Sequence, residues 1–219
     1  MSYIKPSLMH VIRRSFTIFP ILMGIVVLLF DVSVSYSIDA QDVPKESVTD
    51  EIIIEQIAPD KRGGKAYKLV YLVKAPIDSY WKFKTDFDND FLVENKYIQE
   101  HKFIKQKGNT VITENKYANN PKVYFRWQTT MLPEAYRLEF DLLNPEQCGH
   151  KYHYGHIQLM SVEKGTLVTQ VAYFDFLGAA LWAIYPWRGG MKYFLSYTAH
   201  WEQETMLQLQ ERYEDKNQK

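Results

Sequence analysis

Four residues in the second half of the chain hold the most obvious chemical potential: Cys148, His150, His153 and His156. A thiolate and imidazoles are the ligands that zinc and the softer transition metals prefer. The spacing argues against one shared ion. On a strand successive side chains alternate between faces, so His153 would point away from His150 and His156. On a helix His150 and His153 would be neighbours, but Gly149, Gly155 and the surrounding aromatics disfavour a helix. The expectation is a turn with exposed or hydrogen-bonded histidines, and no metal site is assigned.

Other chemistry is sparse. No pair of carboxylates stands out as an acid/base couple. No Gly-x-Ser-x-Gly elbow, His-Glu-x-x-His helix or phosphate loop occurs. Gly63-Gly64 and Gly189-Gly190 read as turn chemistry. No catalytic residue and no cofactor are assigned. Arg126 lies between Phe125 and Trp127 and is expected on a solvated strand face; alternatively Tyr124, Arg126 and Gln128 orient a carboxylate or phosphate headgroup.

Large aromatics form the better candidate site. Tyr193, Tyr197 and Trp201 repeat every four residues, as on one helix face, and would press on Phe125, Trp127, Leu138 and Phe140 across a sheet. Such a stripe is either core packing or the lining of a cavity in which tyrosine hydroxyls orient an apolar ligand. The apolar stretch from Leu177 to Gly190, with Trp182 and Trp187, is a packed loop, a gate over such a ligand, or a contact with lipid. With Tyr136 added, these ten aromatic and apolar residues are the expected ligand-binding set.

The elements that must position them read as a meander. Glu51 to Ile57 is a β-branched run closed by Pro59, and Tyr67–Lys74 is a strand broken by Ala75-Pro76. Asp78-Ser79 offers an N-cap for a helix reaching about Phe87. Strands follow around Phe103-Ile104, Val111–Thr113, Val123–Trp127, Tyr136–Leu142, Gly155–Val162 and Thr166–Phe174, joined by short turns. Tyr136 to Leu142 alternates apolar with charged residues, as in an antiparallel sheet wet on one side. A long helix spans Met191 to Arg212, with Glu202, Gln203, Glu204, Gln208 and Gln210 facing water and a charged tail fraying from Glu211.

The 219 residues suffice for a substantial core, and aromatics reach 15% of them. Lys plus Arg (26) balances Asp plus Glu (26), which disfavours nucleic acid as a partner. Lys5, His10, Arg13 and Arg14 precede an apolar run from Phe16 to Phe30, with Ser33, Ser35 and Ser37 after it. That order matches a hydrophobic N-terminal helix in residues 1–37, as a signal peptide or a single membrane anchor. Either places the rest of the chain outside the cytoplasm, periplasmic, secreted or tethered. Residues 38–64 read as a linker with an extra N-terminal segment.

The order of strand, Ala-Pro, helix, strand meander, apolar loop and long C-terminal helix resembles the START-like, or helix-grip, superfamily. Val70-Tyr71-Leu72-Val73-Lys74-Ala75-Pro76-Ile77-Asp78-Ser79-Tyr80-Trp81, then Thr85-Asp86-Phe87, and the turn Gly165-Thr166 carry the likeness, over roughly residues 65–212. That superfamily includes polyketide cyclases and dehydratases, coenzyme Q-binding proteins and lipid-transfer domains. The resemblance implies an α+β fold, a curved antiparallel sheet around a long C-terminal helix, with a cavity between them for a hydrophobic small molecule or lipid. The expected function is binding, extending to transport, without catalysis and with membrane contact in reach. The alternatives are a cyclase- or dehydratase-type enzyme acting on an aromatic or polyketide-like substrate, and a ligand-free interaction module at the cell envelope.

Overall fold

The computed structural model describes residues 51–89, 91–118, 120–178 and 190–213. Eight strands run in chain order: β1 (Ile53–Ile57), β2 (Lys65–Val73), β3 (Ile98–Lys107), β4 (Thr110–Tyr117), β5 (Tyr124–Leu132), β6 (Arg137–Leu142), β7 (His150–Val162) and β8 (Gly165–Phe176). Helix α1 (Ile77–Thr85) follows β2; α2 (Gly190–Gln208) and the short α3 (Gln210–Tyr213) follow β8. The strands form one antiparallel sheet in the order β1-β2-β8-β7-β6-β5-β4-β3. β3 to β8 is the expected meander. The one long connection, through α1, carries the chain from β2 to the far edge, and the meander returns until β8 pairs along the length of β2.

A sheet this wide cannot stay flat against one helix. Six strands at about 4.8 Å spacing span more than twice the roughly 10 Å diameter of a helix. Strands β2, β4, β5, β6, β7 and β8 all send side chains to the same space beneath α2, so the sheet curves around it. Bulges in β3 and at His150/Tyr152 of β7 help it bend. The core lies between this curved face and the helices: Leu69, Tyr71, Val73, Leu159 and Val168 from the sheet, Tyr80 and Phe83 from α1, and Leu195, Ala199 and Met206 from α2.

The β-branched run read in residues 51–57 is an edge strand: β1 pairs with β2 from Ile53↔Val70 to Ile57↔Ala66. Other local expectations need correction. Helix α1 is capped by Pro76, not by Asp78 or Ser79, with no side-chain cap bond. Proline's fixed φ suits a helix start. Asp78 sits in the first turn, where the helix dipole favours its charge. Ser79 is buried. The chain from Glu211 to Tyr213 does not fray: the Tyr213 ring packs edge-on against Phe83, and its hydroxyl donates to Asp86 Oδ2 at 2.6 Å. The hydrophobic N-terminal helix expected in residues 1–37 lies outside the described residues. Among the described residues no helix is long and apolar enough to cross a membrane.

Candidate ligand cavity

A cavity of about 320 Å³ lies between the curved sheet and α2. Its wall follows the period-two alternation of each strand: Thr113, Asn115 and Tyr117 from β4; Phe125, Trp127 and Thr129 from β5; Leu138 and Phe140 from β6; Gln170, Ala172 and Phe174 from β8. Gly155 and Ala172, neighbours in register, leave room under the Phe140 ring. A Cβ on Gly155 would come within 2.7 Å of Phe140 Cζ and would collide with the Val171 carbonyl. Helix α2 covers the space with Phe194, Leu195, Thr198, Trp201 and Glu202.

One region of the wall is charged. Glu202 is 5% exposed, not solvated as its neighbours in sequence suggested. Its Oε2 accepts from the hydroxyls of Tyr71 and Tyr80, which lie 3.2 Å from each other, and Lys84 Nζ donates to its Oε1 at 2.7 Å. Burial alone would raise the Glu202 pKa, but the Lys84 charge and the three donors outweigh it and hold the carboxyl below its ordinary 4.5. Burial, reinforced by the Glu202 charge, drives both tyrosines well above 10. Nearby, Asp86 accepts from Tyr213 and from Arg212 at 3.3 Å. The His101 ring sits between Asn115 Oδ1, 2.6 Å away, and Phe87 O, 2.8 Å away.

The histidine cluster is arranged differently from the expectation. His150, His153 and His156 all lie on β7, and the bulge at its start places two residues opposite one on β8. The bulge shifts the alternation by one, so a spacing of three returns to the same face. His150 and His153 therefore stack, 5.5 Å apart at 22°. No bulge separates His153 from His156, which faces the other way. His150 donates Nδ1–H to Cys148 O at 3.0 Å. Burial pushes its pKa down to about 4. Burial, with His150 alongside, takes His153 to about 3, so both rings are neutral. The buried Cys148 thiol is pushed up to about 12, which makes it a poor nucleophile.

Of the expected ligand-binding residues, Phe125, Trp127, Leu138, Phe140 and Trp201 line the cavity. Tyr136, with φ of 46°, turns instead to α1: its ring meets Trp81 edge-on at 5.8 Å and its hydroxyl donates to Asp78. Tyr193 is 52% exposed, and Tyr197 packs edge-on against Tyr97, with the Lys96 ammonium 3.7 Å from its ring centroid. The helix face over the cavity is thus Phe194, Thr198 and Trp201, rotated by about one residue, or 100°, from the predicted stripe. Trp182 and Trp187 lie outside the described residues. Arg126 is on the outer face, paired cross-strand with Glu114 at 2.6 Å. The sequence reading missed Glu202, Lys84 and Gln170, and it placed His153 in a turn, exposed or hydrogen-bonded, and not in the cavity wall. Only Glu202 left a trace, in the Leu195, Ala199, Glu202, Met206 spacing of a buried helix face.

No protein-family model matches the sequence, and comparison with curated proteins gives no relative. Solved structures do share the fold. A protein from Thermus thermophilus, TTHA0849, superimposes with a TM-score of 0.50 at 12% identity, covering 67% of this chain and 95% of its own. A point mutant of norcoclaurine synthase from Thalictrum flavum, in complex with a transition-state analogue, gives 0.50 at 11%, covering 74% and 99%. The chain has the helix-grip fold that its sequence pattern implied.

Two stability measurements follow from the buried polar groups. Lys84→Met should cost about 3–5 kcal/mol at neutral pH, because it strands the Glu202 carboxylate. Glu202 is depressed in the folded state, so its contribution is present above 4.5 and fades as pH falls through the lower folded value. Without Lys84 burial prevails, the pKa rises, and the gap between variant and wild type should narrow near pH 4; a pH-independent gap in urea titrations would contradict the clasp. For His150 and His153, folded values of about 4 and 3 lie below the ordinary 6.5. Their stabilising effect is complete above 6.5 and is lost on acidification, by about 1.4 kcal/mol per pH unit for each ring. Between pH 7 and 5, His153→Phe should lose stability less steeply than wild type, by one proton's worth; equal slopes would show that His153 is not held neutral.

Proposed function

We propose that this protein binds a hydrophobic small molecule, as a non-catalytic carrier or receptor, in the cavity beneath α2 and on the outer side of the cytoplasmic membrane. The cavity carries the reading. Its volume falls within the usual range for small-molecule sites, roughly 300–1,000 Å³, and apolar and aromatic side chains dominate its wall. By liquid volume it has room for roughly ten waters, which suits a ring system or short chain better than a whole membrane lipid.

Energetics support an occupant. The cavity's largely apolar wall offers entering water few polar partners. An apolar guest that displaces that water buries apolar surface at about 25 cal/mol per Å² and gains dispersion contacts. The consumed state of the ionisable groups supports binding over catalysis: Lys84 and Glu202 neutralise each other, and His153 is too weak a base near neutral pH for efficient proton transfer. The basic, apolar, small-residue order of the N-terminus supports the location.

Native mass spectrometry of the full-length protein, with mass spectrometry of its organic extract, should reveal a co-purifying apolar compound. Cell fractionation of the same preparation should recover the protein outside the cytoplasm. A purified protein with no guest and no affinity for apolar probes would refute binding; recovery from the soluble cytoplasm at full-length mass would refute the location.

A further inference from the structure

Every formally charged side chain among the described residues of the cavity wall is already committed. Lys84 and Glu202 are paired, with both of the Glu202 oxygens taken. Asp86 is held by Tyr213 and Arg212. An anionic or cationic guest would therefore meet no free counter-charge among the described residues, and desolvating an unpaired charge in an apolar cavity is prohibitive.

Neutral polar groups are left over. The Gln170 side chain lines the cavity, and no hydrogen bond to it occurs among the described residues. His153 Nδ1 and Thr198 Oγ1 are buried without partners. Natural interiors rarely leave such groups unsatisfied, and each calls for an explanation. The environment of the His153 ring explains its half. It is enclosed by Trp127 at 5.0 Å, Phe174 at 5.3 Å and His150 at 5.5 Å between ring centroids, so nothing there accepts a proton from Nδ1. An idle lone pair is better tolerated than an orphaned N–H, which places the ring proton on Nε2 as a donor toward the cavity. Gln170 can both donate and accept.

These two groups are set apart by the register. His153 pairs with Phe174 and Gln170 with Ile157, four residues further along β7 on the same face. At about 3.3 Å per residue, that is about 13 Å between backbones. Building on the proposed binding function, we infer that the natural guest is an uncharged, flat or compact apolar molecule with a hydroxyl or carbonyl oxygen at each end, one meeting His153 and the other Gln170. Fatty acids, other carboxylates and amines belong to the excluded class.

Equilibrium dialysis of the full-length protein against four probes tests this: naphthalene, 2,6-dihydroxynaphthalene, 2,6-naphthalenedicarboxylate and the matching bis(methylammonium) compound. The diol should bind at least about tenfold more tightly than either charged probe and more tightly than naphthalene, a degree of polar discrimination that buried hydrogen-bonding groups commonly achieve. His153→Phe and Gln170→Leu should each weaken the diol about fivefold or more without weakening naphthalene, and the double variant should erase the diol's advantage. Should His153→Phe fail to fold by circular dichroism, Gln170→Leu and the wild-type ranking decide. A charged probe binding as tightly as the diol, or a diol no better than naphthalene, overturns the inference while leaving apolar binding intact. Failure of all four, naphthalene included, overturns the binding function itself.

Discussion

The carboxylate of Glu202 ties three parts of the molecule to one point. Tyr71 reaches it from β2, Tyr80 and Lys84 from α1, and Glu202 itself projects from α2. Burying a carboxylate is costly, and it persists here because a cation and two hydroxyls meet it together. Apolar contacts tolerate sliding, whereas short directional hydrogen bonds do not. One position further along α2, Gln203 donates to Leu72 O at 2.7 Å, a second tie to β2. The rotation and height of α2 are set by these polar bonds, and so is the identity of the side chains that cover the cavity.

The cavity follows from that placement and from a mismatch of widths. A helix fixed against β2 and α1 at one side of a curved sheet cannot also fill the space over β4, β5 and β6. Aromatic rings take up part of the gap: Trp127 and Phe140 meet edge-on at 5.9 Å, and Tyr117 and Phe125 at 4.9 Å. The remainder stays open because residues that could close it are small or drawn elsewhere. Ala172 contributes little bulk, Tyr136 is turned toward α1, and Tyr197 is engaged by Tyr97.

Much of the fold was legible in the sequence because it rests on local pattern. Alternation in Arg137–Leu142, apolar and aromatic runs such as Leu69–Val73, and turn residues such as Gly165 mark strands whatever lies across from them. The site was legible where alternation alone decided it, as with Phe125, Trp127, Leu138 and Phe140. It failed where one distant event changed the rule. The bulge at the start of β7 is set by pairing with β8, and nothing in His150 to His153 announces it. Glu202 looks like any solvated helix residue until Lys84, 118 positions earlier, is brought beside it. Tyr193 and Tyr197 have the right spacing for an inward stripe, but Lys96 and Tyr97 draw them to the rim.

Alternation along β7 beyond the bulge also ties the turn between β1 and β2 to this sheet. With His153 inward, opposite Phe174, Tyr152 and Tyr154 point outward, toward that turn. Tyr152 donates to Gly63 O at 2.6 Å, Tyr154 donates to Asp60, and the Arg62 guanidinium lies 4.4 Å from the Tyr154 ring centroid. The chain can approach this closely only because Gly64 lacks a side chain. At its φ of 72° a Cβ would lie 2.5 Å from both the Tyr152 hydroxyl and the Phe174 carbonyl. The bulge itself decides only His150: without it His150 would face the turn side, while His153 would stay inward and Tyr152 and Tyr154 outward, because their register with β8 runs unbroken from Tyr152 to Val162. One extra residue in β7 therefore brings a second neutral imidazole to the inner face, stacked on His153.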